Sequence, residues 1–382
     1  MDFEFTEEQL MLQKMVRNFA ENEVSKYAYK IDREESFPYE SWKIAGELGL
    51  LGITAPEEYG GSGLGIIETC IVAEELAAVC TSTCATIIHQ SGLVIDNFMR
   101  NATKDQMEKY LPRLCSGELI GCLAMTEPNA GSDVLNMQMK AEKTKDGYIL
   151  NGTKTFITNG PVADFALVYA KTSPDKGAKG ISVFFIEDGT PGFKKGKKFE
   201  KMGWRGSPTG ELIFENCFIP KENLVGEEDK GINILMAGLN SERVVMGVQG
   251  VGIAAGALKA SLKYAQEREQ FGKSISGFQM IQDKLATMYT KIEAGRALAY
   301  KGASLIENGK SDEIGKLAAA AKLFGSDVAM EVTTEAVQIF GGYGYMKEFP
   351  VERYMRDAKL MQIGGGTSEI QKHIISKALL SD

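Results

Sequence analysis

The chain reads as an α+β protein in three parts: an N-terminal α-helical domain over 1–120, a middle β-barrel-like domain over 121–228 and a C-terminal four-helix bundle over 229–382. Two observations carry that reading. Apolar residues recur at helical spacing toward both ends, whereas the middle breaks into short segments rich in Ile, Val, Phe, Tyr and Thr, each bounded by Gly, Pro, Asn or Asp. A third observation removes the main competitor. Helices, then strands, then helices in separate blocks is not the strand–helix alternation of a doubly wound nucleotide-binding fold.

The elements follow in order. Thr6 with Gln9 three positions later forms a capping-box pattern, and Leu10, Leu12, Met15, Val16 and Phe19 then largely share one helical face. Pro38 and the PEEYGGSGLG stretch at 56–65 interrupt the helices; further helices are predicted from Ile67 to Val79 and from Thr103 to Leu114. GYILNGTKTFITNG, ADFALVYAKT, GISVFFIEDG and GELIFENCFIP are the predicted strands. Long helices are predicted at about 241–268, 278–308 and 313–340, with a shorter one from 368. Short connections between long helices point to a bundle. Gly250, Gly252 and Gly256 superficially resemble a dinucleotide fingerprint, but no strand precedes them, so close helix packing is the reading adopted.

Composition excludes several classes. With 44% apolar and 25% charged residues among 382, the chain is an ordinary globular protein long enough for two or three domains. A net charge of −8 argues against a nucleic-acid binder. Lysines gather between 194 and 201, where a solvated loop or strand edge is the favoured reading over a phosphate site. The six cysteines show neither CxxC nor regular spacing, so buried, reduced thiols are expected, and two histidines, His89 and His373, are too few for a histidine-rich metal centre. The start MDFEFTEEQL lacks a basic, then apolar, leader pattern, and no run approaches the roughly 18 apolar residues of a membrane helix. A cytoplasmic bacterial enzyme is expected.

Taken alone, TEPNAGSD at 126–133 is a turn-rich connector whose Ser132 and Asp133 could cap a helix. LAMTEPNAGSD followed by KTFITNG at 154–160 nevertheless resembles the paired flavin-binding stretches of the acyl-CoA dehydrogenase family. REQFGKSISGFQ at 268–279, QIFGGYGY at 338–345 and IGGGTSEIQ at 363–371 are similar to three further segments of that family, in family order and at family spacing, so the resemblance spans essentially the whole chain. It implies an FAD flavoprotein. Leu123, Met125, Thr126, Ser132, Phe156, Ile157 and Thr158 would then meet the flavin, with Phe156 standing where many relatives carry tryptophan; Ser132 also resembles the residue at the pantetheine arm of CoA. Arg268, Phe271, Gln279, Gln338, Gly341 and Gly342 would serve the pyrophosphate and adenine end of a flavin in a neighbouring subunit, and Thr367 and Glu369 a helix start that favours anions. On the bland reading, Arg268 is part of a charged helix face and Gly341 is a helix C-cap.

The expected reaction removes the α proton of an acyl thioester while the β hydrogen leaves as hydride, which needs a carboxylate at the α carbon and donors on the carbonyl. In most members the base lies one residue before GTS in the tail. Here that position is Gly365. MAGLNSERVVMG at 236–247 resembles the helix that carries the base instead in the isovaleryl-CoA and long-chain branches, which implies Glu242 as the base. The competing reading makes Glu242 a helix-entry glutamate paired with Arg243. Burial beside flavin and acyl chain should raise the pKa of Glu242, while the N–H of Gly365 could still polarise the carbonyl. Asn240, Arg243, Gly365 and Gly366 are implied to line the substrate.

Moving the base off the tail implies a pocket tolerant of bulk, hence a short branched or alicyclic acyl-CoA such as isovaleryl-CoA or cyclohexanecarboxyl-CoA. The family implies a homotetramer and an electron-transferring flavoprotein as acceptor. Two alternatives stand beside this reading: an acyl-CoA oxidase, and a non-catalytic flavin- or acyl-CoA-binding scaffold.

Overall fold

The structure, a computed structural model, describes residues 4–309 and 313–381. Helix Glu7–Phe19 begins at the capping box: Thr6 Oγ1 accepts from the Gln9 N–H at 3.2 Å and Gln9 Oε1 accepts from the Thr6 N–H at 3.0 Å. Helices Ile66–Ala77 and Lys104–Cys115 lie within two residues of their predicted limits. Ser25–Glu34, Tyr39–Glu47 and Thr81–Ile88 are further helices. The last is buried on every side, so it has no amphipathic period to read.

Eight strands form the middle sheet: β1 Gly121–Ala124, β2 Lys140–Lys143, β3 Gly147–Thr158, β4 Phe165–Lys171, β5 Ile181–Glu187, β6 Phe193–Lys198, β7 Thr209–Pro220 and β8 Leu224–Val225. Their order is β6-β7-β3-β2-β4-β5-β8, with β1 paired in parallel to β4. Alternate residues of β1 through β7, among them Cys122, Leu150, Val168, Phe184 and Leu212, converge on one interior cluster, so the sheet curls around its own core. The opposite face of β1, β4 and β5 presents Leu123, Phe165, Tyr169 and Phe185 to Phe98, Tyr110 and Leu235 of the flanking helices. Lys194, Lys195, Lys197 and Lys198 of the lysine run lie on β6, an edge strand, and Lys201 follows it.

Helices Gly231–Glu267, Gln279–Glu307, Ile314–Phe340, Pro350–Met361 and Ser368–Ser381 build the C-terminal region. The first starts ten residues before its predicted limit. Its glycines touch backbone: a Cβ on Gly250 would lie 2.4 Å from the Gly325 carbonyl oxygen, and one on Gly256 would lie 2.0 Å from that of Ala78. Packing, not pyrophosphate, explains that glycine series. This helix also corrects the expectation about apolar runs, because it is long and apolar enough by length and composition to cross a membrane; most of its apolar window is buried inside the protein. Helices from the two ends of the chain share one continuous core, from Val16 and Val72 to Val248, Ala329 and Met361.

Candidate active site

Glu242 lies eleven residues inside helix Gly231–Glu267, about three turns from its start. This overturns the helix-entry reading, since the charge of a helix terminus fades within its first turn. Asn240 Oδ1 accepts from Arg243 Nη1 at 3.1 Å, while Arg243 Nε is buried with no partner among the described residues. Burial pushes Glu242 above the ordinary carboxylate range; the neighbouring cations Arg243 and Lys322 oppose the rise. A half-buried, elevated carboxylate is suited to taking a proton.

The tail loop meets this helix. Gly365 and Gly366 have φ of 60° and 86°, a left-handed pair that disfavours side chains. A Cβ on Gly365 would lie 3.6 Å from Glu242 Oε1, so the two candidate base positions converge on one point. The same Cβ would lie 2.1 Å from Met246 Sδ. The space vacated at 365 is therefore filled by a thioether, which corrects the simple picture of an enlarged pocket. Tolerance of bulk there rests on a flexible methionine. Tyr169 of β4, 1% exposed, has a hydroxyl with no partner among the described residues; burial, and after it the Glu242 carboxylate, resist its ionisation.

The two flavin-type stretches lie side by side. The Thr155 N–H donates to the Thr126 carbonyl at 2.9 Å, and Lys154 Nζ donates to the Met125 carbonyl and to Glu127 Oε1, both at 2.9 Å. Glu127 in turn accepts from the N–H groups of Gln138 and Met139 at 2.6 and 3.0 Å. Both charges of the pair are buried, and burial pulls Lys154 down to about 8. Leu123 donates its N–H to His89 Nε2 at 3.3 Å, and burial pulls His89 down to about 4, which keeps it a neutral acceptor. Ser132 is exposed in the loop, Thr158 is half-buried, and Ile157 points into the sheet core. Phe156 sits at a bulge between β3 and β7 with φ of 58° and is 68% exposed against Phe199. A strained, outward aromatic is suited to packing against a flat ring. Ser368 Oγ is buried with no partner among the described residues, beside Thr367, whose own hydroxyl accepts from the Ile370 N–H at 3.3 Å. Glu369 is exposed on the first turn.

The remaining candidates form a separate face. Arg268 caps the far end of the long helix, twenty-six positions beyond Glu242, and a rise of about 1.5 Å per residue puts them about 39 Å apart. Its guanidinium lies 5.6 Å from the Tyr343 ring, next to Gly341 and Gly342. Gly341, with φ of 60°, is indeed a helix C-cap, and open space surrounds where a Cβ on it or on Gly342 would be. Gln279 and Gln338 are exposed, and Phe271 is 94% exposed. Met246, Lys154, Tyr169 and Lys322 escaped the sequence reading. Only Lys322 carried a legible signal, a lone charge in the apolar run AAAAKLF.

A curled β domain thus lies between helical regions, and a carboxylate of the long helix converges on a glycine turn of the tail. The chain belongs to the acyl-CoA dehydrogenase family. The family's N-terminal, middle and C-terminal domain patterns match residues 6–118, 122–217 and 229–380. The isovaleryl-CoA dehydrogenase of Arabidopsis thaliana is 46% identical over 99% of this chain and 92% of its own. The cyclohex-1-ene-1-carbonyl-CoA dehydrogenase of Syntrophus aciditrophicus is 46% identical over 99% and 91%. Among solved structures, butyryl-CoA dehydrogenase from Megasphaera elsdenii superposes with a TM-score of 0.95 at 43% identity, covering 100% of both chains. A chain from a structure described as the electron transferring flavoprotein of Acidaminococcus fermentans gives 0.97 at 46%, again over 100% of both. PigA with FAD and proline gives 0.95 at 32%, over 99% of each. The protein is thus a flavin-dependent oxidoreductase of acyl-CoA thioesters.

Proposed function

We propose that the protein is an FAD-dependent dehydrogenase of short branched or alicyclic acyl-CoA thioesters, with Glu242 as the base. The observation that carries this reading is the 3.6 Å between Glu242 Oε1 and a Cβ built on Gly365, which brings the helix carboxylate to the tail position where most members hold theirs. Glu242 accepts the α proton on a carboxylate oxygen and becomes the neutral acid. The Gly365 N–H is the donor assigned to the thioester carbonyl, where negative charge builds as the proton leaves. Arg243 and Lys322 oppose the upward push of burial on the base and so favour its ionised form. Bound FAD supplies the acceptor for the β hydride. Phe156, Thr158 and Ser132 are the residues assigned to hold its ring, with Thr367 and Glu369 at the tail helix.

The isovaleryl- and cyclohexenecarbonyl-CoA relatives support the choice of substrate class. The separation of about 39 Å between Glu242 and Arg268 supports a homotetramer in which Arg268, Phe271, Gln279, Gln338, Gly341 and Gly342 of one subunit complete the flavin site of another. An electron-transferring flavoprotein is the proposed electron acceptor, and the cytoplasm the proposed location. Replacing Glu242 with Gln tests the base. Isovaleryl-CoA should bleach the flavin of the parent enzyme and leave that of E242Q oxidised; bleaching by E242Q at the parent rate would remove Glu242 from the mechanism.

A further inference from the structure

We propose that Lys322 is a positioning residue, its ammonium both fastening the Gly365–Gly366 turn against the base helix and holding the Glu242 carboxylate in its ionised form. The inference rests on the assignment of Glu242 as base.

Lys322 is fully buried on helix Ile314–Phe340 and donates from Nζ to the Gly366 carbonyl at 2.7 Å. The helix crossing explains how it gets there. A Cβ on Gly325 would lie 2.2 Å from the Gly247 carbonyl oxygen, and one on Gly247 would lie 2.7 Å from that of Ala321. The two helices therefore touch backbone to backbone, and Lys322 emerges at the contact, next to the turn that carries Glu242, Arg243 and Met246. Two further ties from the same helix hold the chain entering this loop: Ser326 Oγ donates to the Met361 carbonyl at 2.8 Å, and Asp327 Oδ1 accepts from Gln362 Nε2 at 2.7 Å. Gln371 Nε2 adds further bonds to the carbonyls of Gly365 and Gly366 at 3.2 and 3.0 Å.

Fastening a carbonyl needs only a donor, and Ser326 does it with a hydroxyl. A buried ammonium is among the costliest groups to desolvate and is retained where an opposite charge uses it. The charged groups around Lys322 are Glu242 and Arg243 from the long helix, Asp327 from its own helix and Glu369 from the C-terminal helix; Glu242 exerts the largest charge effect of the four. Around Glu242 stand Arg243, Lys322 and the Tyr169 hydroxyl. Burial pulls Lys322 down to about 8 even so, which leaves it a cation at neutral pH.

The test uses the FAD-loaded enzyme with isovaleryl-CoA as probe, comparing K322M, K322Q and K322R with the parent, and E242Q in parallel. K322M removes donor and charge, K322Q removes charge alone, and K322R keeps both. In K322M and K322Q the acid limb of kcat/KM against pH should move up by roughly one pH unit, the low end of the effect of removing a nearby opposite charge. The K322M plateau should also fall several-fold in kcat with little change in KM, because the turn that carries the Gly365 N–H loosens. K322R should restore the acid limb. An unchanged limb in K322M and K322Q, or a K322R profile matching that of K322M, overturns the inference. Failure of both neutral variants to accumulate as folded, flavin-loaded enzyme likewise rejects positioning in favour of a purely structural lysine. If E242Q still bleaches normally, the base assignment fails first; an inert E242Q with unshifted Lys322 variants sinks this inference alone.

Discussion

Replacing Gly365 with Ala should destabilise the protein by two separable amounts. An L-residue at φ of 60° costs about 1–2 kcal/mol relative to glycine. The new Cβ would also arrive 2.1 Å from Met246 Sδ, and forcing a methyl into an occupied volume costs about 1–3 kcal/mol. The sum is about 2–5 kcal/mol, toward the lower part of that range because a thioether moves easily. Multidomain flavoproteins need not unfold in one step, so the apparent unfolding temperature at a fixed scan rate is the appropriate readout. It should fall by several degrees. In an M246A background the steric part disappears, and adding G365A should cost only the backbone part, about 1–2 kcal/mol. A G365A protein that melts with its parent would refute the reasoning, as would an equal penalty in both backgrounds. Activity should fall alongside stability, since Met246 lies one helical turn beyond Glu242 and is displaced by the same methyl.

Two further outcomes follow from the site. Because burial raises Glu242 and the base works ionised, kcat/KM should rise with pH through a limb above the ordinary glutamate range and fall away on the acid side; a limb at the value of an exposed glutamate would contradict the burial argument. At Phe156, F156A keeps the left-handed strain while F156G relieves it, so F156G should be more stable than F156A by about 1 kcal/mol in thermal melts, although both should lose flavin more readily on dialysis than the parent.

Much of this was legible in the residues, for identifiable reasons. Thr6 with Gln9 announced the first helix because a capping box is local, and β3, β4, β5 and β7 announced themselves through β-branched and aromatic runs. Strand β2, KAEK, has one buried residue in four and no pattern to detect. Helix Pro350–Met361 is polar around much of its circumference, and its start signal, Pro350 at the first turn, was hidden among loop residues. The meeting of Glu242 with Gly365 joins positions more than a hundred residues apart, so sequence could offer it only as a family resemblance. Met246 in the space beside Gly365 was invisible for a different reason. Nothing in a methionine on an apolar helix face says which cavity it fills.

The eight-stranded sheet of the middle domain leaves three strand borders that another chain could extend, and each is blunted differently. An open row of unpaired N–H and C=O groups is a template for edge-to-edge aggregation. On β6 the deterrent is charge, since Lys194 and Lys195 reach Glu215 and Asp188 at 2.9 and 2.8 Å and an incoming strand would have to displace these pairs. At the opposite border β8 is only two residues long, too short to seed a ladder. The free side of β1 is covered instead: Gln90 Oε1 takes the Gly121 N–H at 2.8 Å and His89 Nε2 takes that of Leu123, so alternate donors along the strand are already spent. The lysines read from the sequence as a solvated loop or strand edge thus guard the domain against growing into fibrils. Their neutralisation by acetylation should show first as loss of solubility on heating, before any loss of turnover.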